Sequence, residues 1–114
     1  MKDPKAYYLF VQERIEILEG IIGPDAALAE KALEDVVTGL AIERLLETIT
    51  DATKHFPEDV KKAYPEIPWS QVAGFRNVMA HDYLGINPGV LLKTLTDDLP
   101  RLKKVVKRIM SAHG

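Results

Sequence analysis

One stretch of the chain carries most of the side chains able to do chemistry. Gly74-Phe75-Arg76-Asn77-Val78-Met79-Ala80-His81-Asp82-Tyr83 sets an arginine, an amide, an imidazole, a carboxylate and a phenol within eight positions. A phosphodiester beside a ribose can be broken without metal if a base removes the 2′-OH proton and a cation meets the charge growing on the phosphorus oxygens. Histidine suits the first task because its pKa lies near neutrality. Arginine suits the second through its planar, permanently charged fork. His81 and Arg76 are therefore the candidate catalytic pair, with Asn77 as a supporting polar neighbour. On the residues alone each has a plainer reading. His81 fits a helix-end histidine facing the C-terminal dipole, Arg76 a salt bridge to a neighbouring helix, and Asn77 a local hydrogen bond. Asp82 reads as a solvated acid and Tyr83 as an amphipathic helix-end residue.

The spacing has a geometric consequence. Five residues along a helix turn through about 140° and rise about 7.5 Å, so Arg76 and His81 do not stack on one face. Arg76 shares its face with Ala80 and Tyr83, while Asn77 sits one turn before His81. Two copies of this helix meeting about a two-fold axis would let both groups reach one phosphate. The pattern points to a homodimer.

Other candidates are weaker. The net charge of −2 gives no global attraction for a polyanion, so any RNA contact must be local. Arg101, Lys103, Lys104, Lys107 and Arg108 crowd the last segment. Lys103, Lys104, Lys107 and Arg108 are candidate phosphate contacts, against the default of a solvated face. The absence of cysteine excludes disulfides, thiolate zinc sites and cysteine nucleophiles. No ligand cluster or i, i+4 histidine pair suggests a metal, and neither metal nor cofactor is expected. His55, just before Pro57, reads as structural, His113 as part of a frayed tail, and Trp69 as a packing anchor rather than a base-stacking platform.

The elements that must position these residues are helical, because apolar spacing of period 3.6 recurs and strand-like alternation is missing. Asp3-Pro4 caps a first helix running to about Gly20, and Gly23-Pro24 breaks the pattern. A second long helical region covers roughly 25–55, with Leu33, Val36, Val37, Leu40, Leu45 and Ile49 spaced for burial and Gly39 marking close contact with a neighbour. Pro57 ends it. A short helix over 58–64 stops at Tyr64-Pro65. A fourth runs from Trp69 to about Leu84, before Gly85. Asn87-Pro88 launches the last, which Pro100 must kink or split, with Asp98 able to cap a fresh start. Its buried stripe is Leu102, Val105, Val106 and Ile109. The fold expected is all-α: an antiparallel up-and-down bundle of four main helices plus a short one.

At 114 residues this is one domain, 1–114, burying roughly 65% of the surface of its unfolded chain. With 46% hydrophobic and 28% charged residues, disorder is excluded as a reading. No apolar run is long enough to span a membrane, and Met1-Lys2-Asp3-Pro4 is unlike a signal peptide, so a cytoplasmic protein is expected.

The run Tyr64-Pro65-Glu66-Ile67-Pro68-Trp69, followed by Gly74-Phe75-Arg76-Asn77 and Ala80-His81-Asp82-Tyr83, resembles the HepT-like branch of the HEPN superfamily, with its YPxIPW-like approach and R-x4-H-x-Y motif. Ala41-Ile42-Glu43-Arg44 through Asp51 is similar to that family's second long helix, and Leu99-Pro100 to a feature of its last. The resemblance implies a HEPN fold and a metal-independent endoribonuclease toxin from a toxin–antitoxin pair. Two R-x4-H motifs of a homodimer would line one cleft. It implies that Arg76 and His81 are catalytic, that Asn77 supports them, and that RNA is cut to a 2′,3′-cyclic phosphate and a 5′-hydroxyl. It further implies a partner antitoxin of the minimal nucleotidyltransferase (MNT) type, able to modify Tyr83 with AMP and so block the cleft. Two other functions compete: a non-catalytic helical module that engages, and is AMP-modified by, such a partner, and a helical dimerisation adaptor with an incidental Arg and His.

Overall fold

The computed structural model describes residues 3–81 and 88–113, with the backbone alone at 76–81, 88 and 113. The helices are α1 (Pro4–Ile22), α2 (Ala26–Glu34), α3 (Val36–Thr53), α4 (Glu58–Ala63), α5 (Trp69–His81), α6 (Pro88–Lys93) and α7 (Leu99–His113), with a π turn, Thr94–Asp98, joining the last two. The described residues contain no strand, and the protein is all-α. No described helix is long and apolar enough to cross a membrane.

Three aspartates start the first three helices. Asp3, Asp25 and Asp35 each accept a hydrogen bond from a backbone N–H that has no partner inside the first turn: Lys5 at 3.0 Å, Leu28 at 2.9 Å and Thr38 at 2.8 Å. Pro4 occupies the first position of α1, where its missing N–H costs nothing. Helix α1 ends at Gly23, whose φ of 72° is left-handed and whose N–H donates to the Glu19 carbonyl. A Cβ there would also lie 2.8 Å from the tip of the Leu28 side chain, which would have to shift, so the backbone angle is what calls for glycine.

The region expected as one long helix is two. Asp35 adopts an extended backbone, ending α2 and capping α3, and its carboxylate also accepts from the Thr38 hydroxyl at 2.6 Å. The break re-phases α3 relative to α2. Val36, Val37 and Leu40, expected in the core, are 75%, 76% and 62% exposed, and α3 buries Ile42 and Leu46 beside the expected Ile49. Gly39 is buried, and its ideal Cβ would sit 3.4 Å from the Leu33 carbonyl oxygen. That is an ordinary van der Waals distance, so a small side chain would fit at this corner. Leu33 and Leu45 are half-buried against the core.

Pro100 is accommodated by a widened turn and not by the fresh start that Asp98 could have capped. An α-helical proline there would lack its N–H and press its ring against the carbonyl of Thr96. The chain widens into a π turn, in which the Leu99 N–H reaches back five residues to the Thr94 carbonyl. Lys93 and Leu99 both keep right-handed helical angles, so Asp98 lies within a continuous helix and caps nothing. Leu91, Leu95 and Leu99, four apart through this stretch, are all buried and run on into the predicted stripe of Leu102, Val105, Val106 and Ile109.

The core lies where α1 packs on α3 and α7, with α5 along the other flank of α3. The Lys103 ammonium joins α7 to α1 by bonding both Glu19 carboxylate oxygens at 2.9 Å. Burial, then the charges of Asp59 and Asp3, push the Tyr8 phenol above its ordinary pKa, so its hydroxyl stays neutral at the edge of the core.

Leu46 is almost wholly enclosed, so Leu46→Ala should cost about 2–5 kcal/mol in urea unfolding. The Asp35 carboxyl is held below its ordinary pKa by the Thr38 hydroxyl and then the Thr38 N–H. Its stabilising effect is complete above the unfolded value of about 3.9 and is lost as pH falls through the lower folded value. Asp35→Ala should therefore lower the Tm clearly at neutral pH and much less near pH 2; equal deficits at both would contradict the cap.

Candidate active site

Helix α5 is anchored before it begins. Two carbonyls at the end of the six-residue α4 each take one backbone N–H, Lys61 from Tyr64 and Tyr64 from Ile67, and keep a second lone pair. The Trp69 indole N–H donates to two oxygens there, Lys61 at 3.0 Å and Tyr64 at 3.1 Å. The ring meets Phe56 edge-on at 5.7 Å, and Phe56 meets Tyr8 of α1 edge-on at 4.8 Å. Trp69 is the packing anchor expected from its type. Pro68 then offers its carbonyl to the N–H groups of Gln71 and Val72, closing the first turn.

Once started, the helix has a fixed phase. Val72 and Phe75 are half-buried against the core, whereas Ser70 and Gly74 are exposed and an added Cβ at Gly74 would meet nothing within 4 Å. By helical register, position 81 falls on the stripe of Ser70 and Gly74, and position 76 one turn beyond Val72. The backbone of Arg76, Asn77 and His81 lies on the last two turns of α5. Their side chains lie outside the described residues, as do Tyr83, Asp82, Asn87 and the side chain of His113.

The height of this segment along α3 can also be read. Phe56, just past α3, touches Trp69 at the start of α5, so the two helices run antiparallel. A groove of about 420 Å³ is lined jointly by Leu46, Ile49 and Thr50 of α3 and by Gln71, Val72 and Phe75 of α5. The last turns of α5 therefore lie beside the N-terminal half of α3.

The candidate phosphate contacts separate into two pairs. Lys103 is held by Glu19, and the Arg108 guanidinium is 2.9 Å from Glu66 and 5.2 Å from the Tyr64 ring centroid. Lys104 and Lys107 are exposed on α7 and make no ion pair among the described residues, so they are the half with charge to spare. Among the described residues no group of three His, Asp or Glu side chains could hold a metal ion.

A feature missed by sequence reasoning lies between α1 and α3. The His55 ring, read as structural, stacks on Tyr7 at 4.5 Å with 11° between planes, yet His55 is exposed. Both line a groove of about 510 Å³ with Phe10, Arg44, Glu47 and Asp51. The i, i+4, i+7, i+11 spacing of Arg44, Thr48, Asp51 and His55 was the available signal for a shared polar face.

A family model described as Ribonuclease HepT-like matches residues 11–109, spanning both Arg76 and His81. The chain belongs to that family. Its HepT-like relatives include a protein of Thermococcus cleftensis provisionally named ribonuclease HepT, 38% identical over 87% of this chain and 88% of that protein. Another, from Caldanaerobacter subterraneus subsp. tengcongensis and provisionally named an RNase, is 32% identical over 96% of each chain. A third, from Methanocaldococcus jannaschii, is named gamma-glutamylcyclotransferase and provisionally RNase; it is 30% identical, and the match covers 96% of this HepT-like chain but 48% of that protein. No solved structure matches the chain.

The anchor can be tested without reference to activity. Trp69→Phe keeps the ring contacts and removes a bifurcated donor from two carbonyls that each retain a backbone partner, so it should cost about 0.5–1.5 kcal/mol in chemical unfolding. A change below about 0.3 kcal/mol would show that the indole N–H does not hold the end of α4.

Proposed function

We propose that this protein is a metal-independent endoribonuclease whose active site is Arg76 and His81, shared across a homodimer. The observation that carries the reading is the family match spanning an α5 that holds both positions on its last two turns. His81 takes the proton of a ribose 2′-OH, and the 2′-oxygen attacks the adjacent phosphorus. Arg76 meets the negative charge on the non-bridging oxygens with its two-pronged donor face. The bond to the 5′-oxygen breaks, and that oxygen takes a proton from the second imidazole of the pair. The products are a 2′,3′-cyclic phosphate and a 5′-hydroxyl. Asn77 supports the pair as a hydrogen-bonding neighbour.

The register of α5 supports the dimer. Ser70 and Gly74 leave their side of the helix bare, and His81 continues that stripe. Two such stripes can approach closely about a two-fold axis because Gly74 has no side chain to hold them apart. We further propose that the activity is that of a toxin restrained by an MNT-type nucleotidyltransferase antitoxin, with Tyr83 as the AMP acceptor. The modification would place a bulky anion two residues from His81.

Incubation of single-stranded RNA with the protein in EDTA should yield fragments ending in cyclic phosphate. His81→Ala and Arg76→Ala should each lower the rate at least 100-fold, on the scale of losing a general base or an oxyanion donor. Cleavage that survives both substitutions, or that requires added metal, would reject the assignment.

A further inference from the structure

The groove between α1 and α3 is unusual in its lining. Its aromatic members are Tyr7, Phe10 and His55, and its charged members are Arg44, Glu47 and Asp51. The Tyr7 and His55 rings are nearly parallel, and the histidine is the exposed partner, so a third planar ring can extend the stack from its side. The Arg14 guanidinium lies 4.3 Å above the Phe10 ring, a second flat cation-and-ring unit bordering the groove. At about 510 Å³ the space falls within the usual range for small-ligand sites.

The charges choose between ligands. Two carboxylates in the lining oppose a phosphate but accept hydrogen bonds from the amino groups of a base edge, as Asp and Glu accept from cytosine N4. Arg44 is largely exposed and, among the described residues, pairs with Glu47, 3.4 Å away on its own helix, through one nitrogen, which leaves donors able to face a passing backbone. The groove runs along α1 and α3 from Arg44 to the stacked rings of Tyr7 and His55.

We infer that the α1–α3 groove is a nucleobase subsite, in which an unpaired base of single-stranded RNA stacks on the His55–Tyr7 ring pair beside the carboxylates of α3. The choice of RNA as ligand rests on the proposed ribonuclease activity; the stacking slot rests on the rings themselves. Sequence-specific RNA contacts commonly splay single-stranded bases onto aromatic and histidine rings in this way.

The test is fluorescence anisotropy at about pH 8 with a labelled single-stranded RNA and the His81→Ala protein, which should bind without cutting. Loss of one base–ring stack corresponds to about 5- to 100-fold in Kd. His55→Ala should weaken binding by that much, with the dependence of Kd on salt unchanged because no ionic contact is lost. His55→Phe should stay within about threefold of the parent, since it keeps a ring; it also guards against misfolding in the alanine variant. Unchanged binding in His55→Ala while wild type still cuts RNA would overturn the subsite and leave the nuclease standing. His55-dependent binding with no cutting by wild type would do the reverse. Failure of the parent to bind RNA at all would overturn the subsite. So would a His55→Ala effect confined to oligomeric state by light scattering, which would make the groove a surface between copies.

Discussion

The bifurcated hydrogen bond from the Trp69 indole decides where α5 begins, and α5 can present Arg76 and His81 only from the phase in which it begins. One residue of slip at position 69 would rotate every later position by about 100°. The anchor is therefore built from several sides. Two carbonyls at the end of α4 accept the N–H, Phe56 meets the ring edge-on and is itself backed edge-on by Tyr8, and Pro68 presets the first turn. The link between α3 and α5 is thus a jig, with α4 supplying acceptors rather than core volume.

Much of this was legible from residue types. Asp-Pro at 3–4, Gly23 and the prolines at 57, 65 and 68 each have one local use, so the ends of α1 and α4 and the start of α5 followed from chemistry that acts over four residues. The buried stripe of α7 followed for the same reason, since its period holds beyond Pro100. What escaped was any choice among several locally acceptable options. Asp35 can sit within a helix or cap one, and the Thr38 contact that decides it competes with continuous helix on nearly even terms. With Asp35 capping α3, the aliphatic residues 36, 37 and 40 turn to solvent. Pattern reading counts them as core because periodicity gives spacing and not phase across a break.

The chemistry was legible in a different sense. Residues 64–83 announce themselves by type, and the family match spans them. Their partners across space did not, because the Tyr7–His55 stack joins residues 48 positions apart in sequence (55 − 7). The charge distribution shows the same limit. A basic cluster in sequence divides in the fold, with Lys103 and Arg108 consumed by Glu19 and Glu66 as struts between elements. Such exposed pairs contribute little to stability but remove positive charge from what a polyanion would feel.

The widened turn before Pro100 has a genetic consequence. A π turn holds one residue more than an α-helical turn, so the loss of a codon within 94–98 would restore the narrow ladder and press the Pro100 ring against a carbonyl. Length variation among relatives of this chain should therefore be selected against there wherever a proline stands at the position of Pro100.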